Sequence, residues 1–170
     1  MIISVPALFR VGHPTGIGTE ILSMDVIEHA VTREIEALHR FLVAWFSGAA
    51  EDNQTLFKRE FVQRFDVDFL LVPPNGIVLD LESLLRSIRS AYGSNPDFRI
   101  AIRNVKVRRT WDRVALATYE EWQRNAMAST PADNGRVASV LIRFNEPMRW
   151  LQVHETWLPA DVIAAGRYDF

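Results

Sequence analysis

The order of its patterned segments constrains this chain most. Four strand-like runs follow one another at about 98–109, 114–125, 136–144 and 149–158, the last reading Trp150-Leu-Gln-Val-His-Glu-Thr-Trp157. Three helical patterns precede them. A helix spans about Asp25, or at the latest Thr32, to Ser47, because Ile27, Val31, Ile35, Leu38, Leu42 and Trp45 recur at three and four residues. Gly48 stands where a left-handed cap residue belongs. Asn53-Gln-Thr55 opens a shorter helix carrying Leu56, Phe57, Phe61 and Phe65. Phe69-Leu-Leu-Val72 reads as a buried strand, Pro73-Pro-Asn-Gly76 as a turn and Ile77-Val-Leu79 as the returning strand. Asp80 is the N-cap of a third helix that buries Leu81, Leu84, Leu85, Ile88 and Tyr92, and Gly93, Asn95 and Pro96 end it.

This order, α-α-β-β-α-β-β-β-β, describes an α+β domain with three helices on one face of a curved sheet. Short links make the last four strands an antiparallel meander. The 170 residues suit one domain. Residues 1–24 form an irregular N-terminal arm, 25–158 the domain and 159–170 a C-terminal tail.

The composition excludes several classes. A formal net charge of -2 gives no general attraction to nucleic acid or an anionic membrane. Arg103, Lys106, Arg108, Arg109 and Arg113 alternate between strand faces beside Asp112, Glu120 and Glu121, so they read as a solvated strand edge. No cysteine is present, which removes disulfides, thiolate metal sites and a cysteine nucleophile, and suits a reducing cytoplasm, the expected location. No apolar run approaches the roughly 20 residues of a membrane span. The N-terminus lacks a basic segment, and Pro6 and Arg10 interrupt its apolar stretch, so no signal peptide is expected. Gly12, Gly16 and Gly18 lack the Gly-Lys-Ser/Thr of a phosphate loop. His13, His29, His39 and His154 show no ligand spacing, and the expectation is no metal and no cofactor. His29 with Glu36, and Thr32 with His39, lie two turns apart and read as polar residues of a helix face.

Strand arithmetic proposes where chemistry sits. If Trp111-Asp112 is a two-residue turn, Arg103 faces Glu120, Ala101 faces Trp122 and Val107 faces Leu116. Arg103 and Glu120 then form either a charge pair lining a pocket or a structural cross-strand pair. A one-residue slip reverses the faces. In the last hairpin Ser139 faces His154, Leu141 faces Gln152 and Arg143 faces Trp150, while Val140 with Val153 and Ile142 with Leu151 make the apolar face. His154 is the ionisable group expected to matter most, since imidazole as a group ordinarily titrates near neutrality; it is either a catalytic acid/base, a polar contact or a sheet filler. Trp45 lies on the buried stripe and borders any cavity. Trp122, Trp150 and Trp157 fill the core, contact a ligand or form an interface.

The chain resembles the nuclear transport factor 2-like (NTF2-like) superfamily over about residues 25–158. That group includes ketosteroid isomerases, SnoaL-like polyketide cyclases and the association domain of calcium/calmodulin-dependent kinase II. The resemblance rests on element order, on Arg40-Phe-Leu-Val-Ala-Trp-Phe-Ser-Gly48, and on Trp150-Leu-Gln-Val-His154. The last is similar to the Trp-x-x-Val-His-x-His ending of the association domain, with Thr156 at the second histidine. It implies a cone-shaped, cystatin-like fold with a mixed, mostly antiparallel sheet, a pocket in the cone and a homodimer through the outer sheet face. Ketosteroid isomerases carry a tyrosine where this chain has Phe41 and a catalytic aspartate where it has Pro73, so that reaction is not expected.

Three functions follow as expectations. The first is non-catalytic binding of a small apolar or amphipathic molecule in the cone, using Trp45, Arg103, Glu120, Trp122, Ser139, Gln152 and His154. The second is a SnoaL-like enzyme (isomerase, cyclase or dehydratase) that moves protons on an apolar cyclic substrate through His154 or Glu120. The third is a dimeric association module.

Overall fold

The computed structural model describes residues 23–144 and 147–170. Most of the expected N-terminal arm, and Asn145 and Glu146 of the last link, lie outside the described residues. Ser23 caps α1 (Met24–Phe46), its hydroxyl accepting from the Val26 N–H at 3.3 Å. The buried stripe contains Ile27, Val31, Ile35, Leu38 and Trp45, widened by His39 and Phe41. Gly48 ends the helix region at φ 74°. Asn53 caps α2 (Gln54–Glu60), and a 3-10 turn at Val62–Arg64 leads into β1 (Phe65–Val72). The returning strand is shorter than expected: β2 is Leu79–Asp80 alone. Asp80 caps α3 (Leu81–Ser90). Then come β3 (Arg99–Trp111), β4 (Val114–Arg124), β5 (Asn134–Arg143) and β6 (Arg149–Trp157). A fourth helix, α4 (Ala160–Ala164), lies in the tail.

The sheet order is β2-β1-β6-β5-β4-β3, with β1 and β6 parallel and every other pair antiparallel. The chain therefore has the expected α+β architecture on a mixed sheet. No helix among the described residues is long and apolar enough to cross a membrane.

Two registers differ from simple arithmetic. Trp111 pairs with Val114, so Asp112 and Arg113 make the turn. Irregularities between Val107 and Arg109 and between Arg103 and Lys106 each slip the pairing by one residue. Val107 consequently faces Ala117, not Leu116, yet Arg103 still faces Glu120 and Ala101 faces Trp122. In the last hairpin Ser139 faces His154 and Leu141 faces Gln152, but a bulge beyond Leu141 pairs Ile142 with Trp150 and Arg143 with Arg149. That bulge turns Trp150 to the helix-covered face, where it is 1% exposed.

The tail covers part of the opposite face. Arg103 donates to the Arg167 carbonyl (2.8 Å) and Arg124 to the Tyr168 carbonyl (3.0 Å). Tyr168 meets Trp122 edge-on, with ring centroids 5.7 Å apart. Trp122 is thus buried from outside, while Tyr119, Glu121 and Gln123 of the same strand are buried from inside.

Candidate functional site

A chamber of about 250 Å³ lies between the sheet and the helices. Phe61, Phe65, Phe69, Trp150, Leu38 and Leu42 supply much of its wall. Three of these rings belong to one run of tilted and edge-to-face contacts, Phe57 to Phe61 to Phe65 to Phe69, with successive centroids 4.6–5.3 Å apart. Polar groups enter from α1 and three strands: His39, Tyr119, Glu121, Gln123, Arg136 and Glu155.

These groups form one network. His39 Nδ1 lies 2.6 Å from the Ile35 carbonyl oxygen and Nε2 lies 3.1 Å from Glu121 Oε2. Gln123 donates to Glu121 Oε1 at 2.6 Å, and its own Oε1 accepts from Arg136 at 2.8 Å. Arg136 also donates to Glu155 Oε2 at 2.9 Å. Burial disfavours charge on Glu121, but the His39 hydrogen bond and the Arg136 charge outweigh it, holding that carboxyl at about 2. Burial opposes charging His39 as well, and Glu121 outweighs it, so His39 lies above its ordinary value. Both ring nitrogens therefore carry protons, one for each acceptor. Glu155 is pushed up to about 6 by burial and by the nearby Glu121 charge, against the pull of Arg136.

Two chamber oxygens are left for a ligand. Tyr119 is 2% exposed, and its hydroxyl has no hydrogen-bond partner among the described residues. Burial, reinforced by Glu121 and Glu155, raises the phenol well above its ordinary value, so it remains a donor. Glu155 Oε1 also has no partner among the described residues. Tyr119, Ala138 and Glu155 are register neighbours across β4, β5 and β6. Two strand spacings put the outer backbones about 10 Å apart. The small Ala138 side chain leaves the floor between them open.

No protein-family model matches the chain, and no curated protein matches it. Solved structures do. An NTF2-like protein of unknown function from Pseudomonas aeruginosa is 26% identical, with a TM-score of 0.66 over 76% of this chain and 99% of that one. An uncharacterised cystatin-like protein from Caulobacter vibrioides is 17% identical, with a TM-score of 0.55 over 81% of this chain and 93% of that one. A candidate dehydratase of the NTF2-like family from Streptomyces avermitilis is 14% identical, with a TM-score of 0.60 over 81% and 100%. By fold, the chain belongs to the NTF2-like superfamily.

In this NTF2-like cone the residues proposed from sequence separate into two groups, neither of which lines the chamber. Trp45 is fully buried behind it, packed on Phe41, Phe57 and Tyr92 and donating to the Ile88 carbonyl at 2.9 Å. Arg103, Glu120, Trp122, Ser139, Gln152 and His154 belong to the outer face. Ser139 and His154 are exposed there. Arg103 and Glu120 are register partners, but no ion pair joins them among the described residues. The Arg103 guanidinium lies 5.3 Å from the Trp122 ring, and Glu120 accepts from Asn104 (2.8 Å) and from Trp122 Nε1 (2.9 Å). The physical reason is strand parity: Glu121 and Glu155 point inward, so their neighbours Glu120 and His154 point outward. His154 and Glu120 thus fail the geometric condition for chamber acid/base chemistry.

The NTF2-like resemblance was informative about two other positions. Phe41 packs between Trp45 and Phe61, and Pro73 lies on the chamber wall. Neither offers the isomerase groups. The unpaired hydroxyl and carboxylate oxygens of the chamber are at Tyr119 and Glu155. The available sequence signal was for His39: it falls four residues after Ile35, inside the apolar stripe. Among the described residues no three His, Asp or Glu side chains form a group able to hold a metal.

Proposed function

We propose that the chamber binds a small, largely apolar cyclic molecule bearing one hydrogen-bond acceptor. The observation that carries this reading is the unpartnered Tyr119 hydroxyl inside an aromatic enclosure. Tyr119 lines the chamber with its hydroxyl unpaired, and a ligand acceptor would gain a hydrogen bond there in apolar surroundings. The aromatic walls supply apolar burial, and the hydrogen-bonded His39–Glu121–Gln123–Arg136 chain holds the polar end rigid. Both His39 ring nitrogens are already engaged, which favours binding over histidine-based catalysis.

A second reading is favoured by Glu155. A carboxylate held near 6 across the floor from a phenolic donor suits proton transfer beside a carbonyl. Glu155 would take the proton from carbon, the electron pair would move onto oxygen, and Tyr119 would donate its hydrogen bond there. The proton then returns from Glu155 to carbon. The dehydratase assignment of the Streptomyces protein is compatible with such chemistry but belongs to that protein.

One sample tests both. 2-Acetylnaphthalene, an aromatic ketone, should raise the melting temperature of the native chain, and Tyr119→Phe should weaken this response about tenfold in ligand concentration. In deuterium oxide, proton NMR of the acetyl methyl group reports exchange. Enzyme-dependent exchange that disappears in Glu155→Gln supports the second reading, whereas binding without exchange leaves the first. No stabilisation by this ketone or by related cyclic ketones overturns both.

A further inference from the structure

A second space of about 570 Å³ adjoins the chamber, lined by Ser87, Ala91, Ser94, Asn95, Ala126 and Ser129 among others. Phe46, Ile88, Phe98, Gln123 and Arg136 line both spaces. They make the boundary between the two, two polar side chains against three apolar ones. Inside it the walls are mostly aromatic; outside it they come from α3, the segment after it and the β4–β5 connection, with hydroxyl and amide groups.

The sizes matter. The chamber alone falls below the roughly 300–1,000 Å³ of ordinary ligand pockets, and the two spaces together fall within that range. Arg136 is largely committed within the protein. Its Nε is the one buried side-chain nitrogen or oxygen without a partner among the described residues. The other two guanidinium nitrogens are occupied by Glu155, Gln123 and, at 3.4 Å, Asn134. The Nε atom is closed off from both spaces, so the polarity of their shared boundary comes from the terminal nitrogens of Arg136 and the amide of Gln123.

Resting on the chamber reading above, we infer that the ligand is a head-and-extension molecule. Its apolar ring and the acceptor that meets Tyr119 occupy the chamber, and a polar extension passes Gln123 and Arg136 into the outer space. An aromatic or alicyclic acyl group joined through its carbonyl to a polar chain has this chemistry. Gln123 and Arg136 are then the residues that select for the extension.

The test compares 2-acetylnaphthalene with N-(2-hydroxyethyl)-2-naphthamide on the full chain by calorimetric titration. The amide should bind about tenfold more tightly than the ketone. Ser87→Trp, placed on the exposed face of α3 in the outer space, should abolish that advantage and leave ketone binding unchanged. If this variant fails to fold, Ala128→Trp fills the same space from the β4–β5 connection. Equal affinity of both compounds overturns the extension and leaves the chamber reading standing. An amide advantage that survives the filled outer space overturns its placement. Binding of neither compound overturns the extension and the chamber reading together.

Discussion

His39 is surrounded by acceptors. The Ile35 carbonyl and the Glu121 carboxylate both require a proton from the ring, so the pair exists as imidazolium and carboxylate. Each partner is 6% exposed or less, so neither can exchange the other for water. Glu121→Ala removes the acceptor of His39 and of Gln123 together. Urea denaturation at pH 7 should show a loss of about 3–5 kcal/mol, the usual consequence of leaving one member of a buried pair alone. Glu121→Gln should cost clearly less. Its amide N–H can donate to a neutral Nε2 while Nδ1 keeps its proton for Ile35. The NMR titration of His39 in that variant should move below the wild-type value, because the stabilising charge is gone. Equal destabilisation by alanine and glutamine would refute this account of the pair.

At the scale of elements, the tail is what distinguishes the two sheet faces. Gly166 lies against Trp122: a Cβ there would fall 2.4 Å from the indole Cζ3 and 3.0 Å from the Ile163 carbonyl oxygen. Gly166→Ala should therefore lift the segment after α4. Trypsin should then cut more readily after Arg167, and Trp122 fluorescence should shift to the red, with the chamber ligand response preserved. An unchanged cleavage rate would mean that the tail does not hold Trp122 in solution. The same contact explains what sequence could and could not disclose. Helix stripes and caps were legible because α1 buries only one side and because Asn53 and Asp80 are unambiguous caps. The chamber face was not. Alternation tells inside from outside only when one face is wet. From Glu121 to Gln123 β4 is buried at every position, since helices cover one face and the tail the other. Bulges hid the rest: the one after Leu141 carries Trp150 to the inner face, a shift that no hydrophobic pattern encodes.

For the whole molecule, the buried network sets how stability depends on pH. Glu155 rises from 4.5 to about 6 on folding, so between those values the folded chain holds a proton that the unfolded chain has released. Stability then falls as pH rises through this interval. His39 is raised from 6.5, so its contribution is complete below 6.5 and is lost as pH climbs through the folded value. Glu121 acts in the opposite direction: lowered to about 2, it contributes fully above 4.5 and loses that contribution as pH falls toward 2. Glu28, bonded to the Val107 N–H and Lys106, and Asp66, bonded to Arg143, are also lowered and reinforce the acid limb. The limbs meet near pH 5, on the acidic side of the maximum common in globular proteins, at about pH 5–8. Urea midpoints measured from pH 4 to 8 should peak there and decline steadily above it. Glu155→Gln should flatten the decline between about 4.5 and 6 while leaving the one above 6.5, which belongs to His39. A profile that rises from pH 5 to 8 would show that the chamber carries a different charge state, and the roles of Tyr119 as donor and Glu155 as acceptor would fall with it.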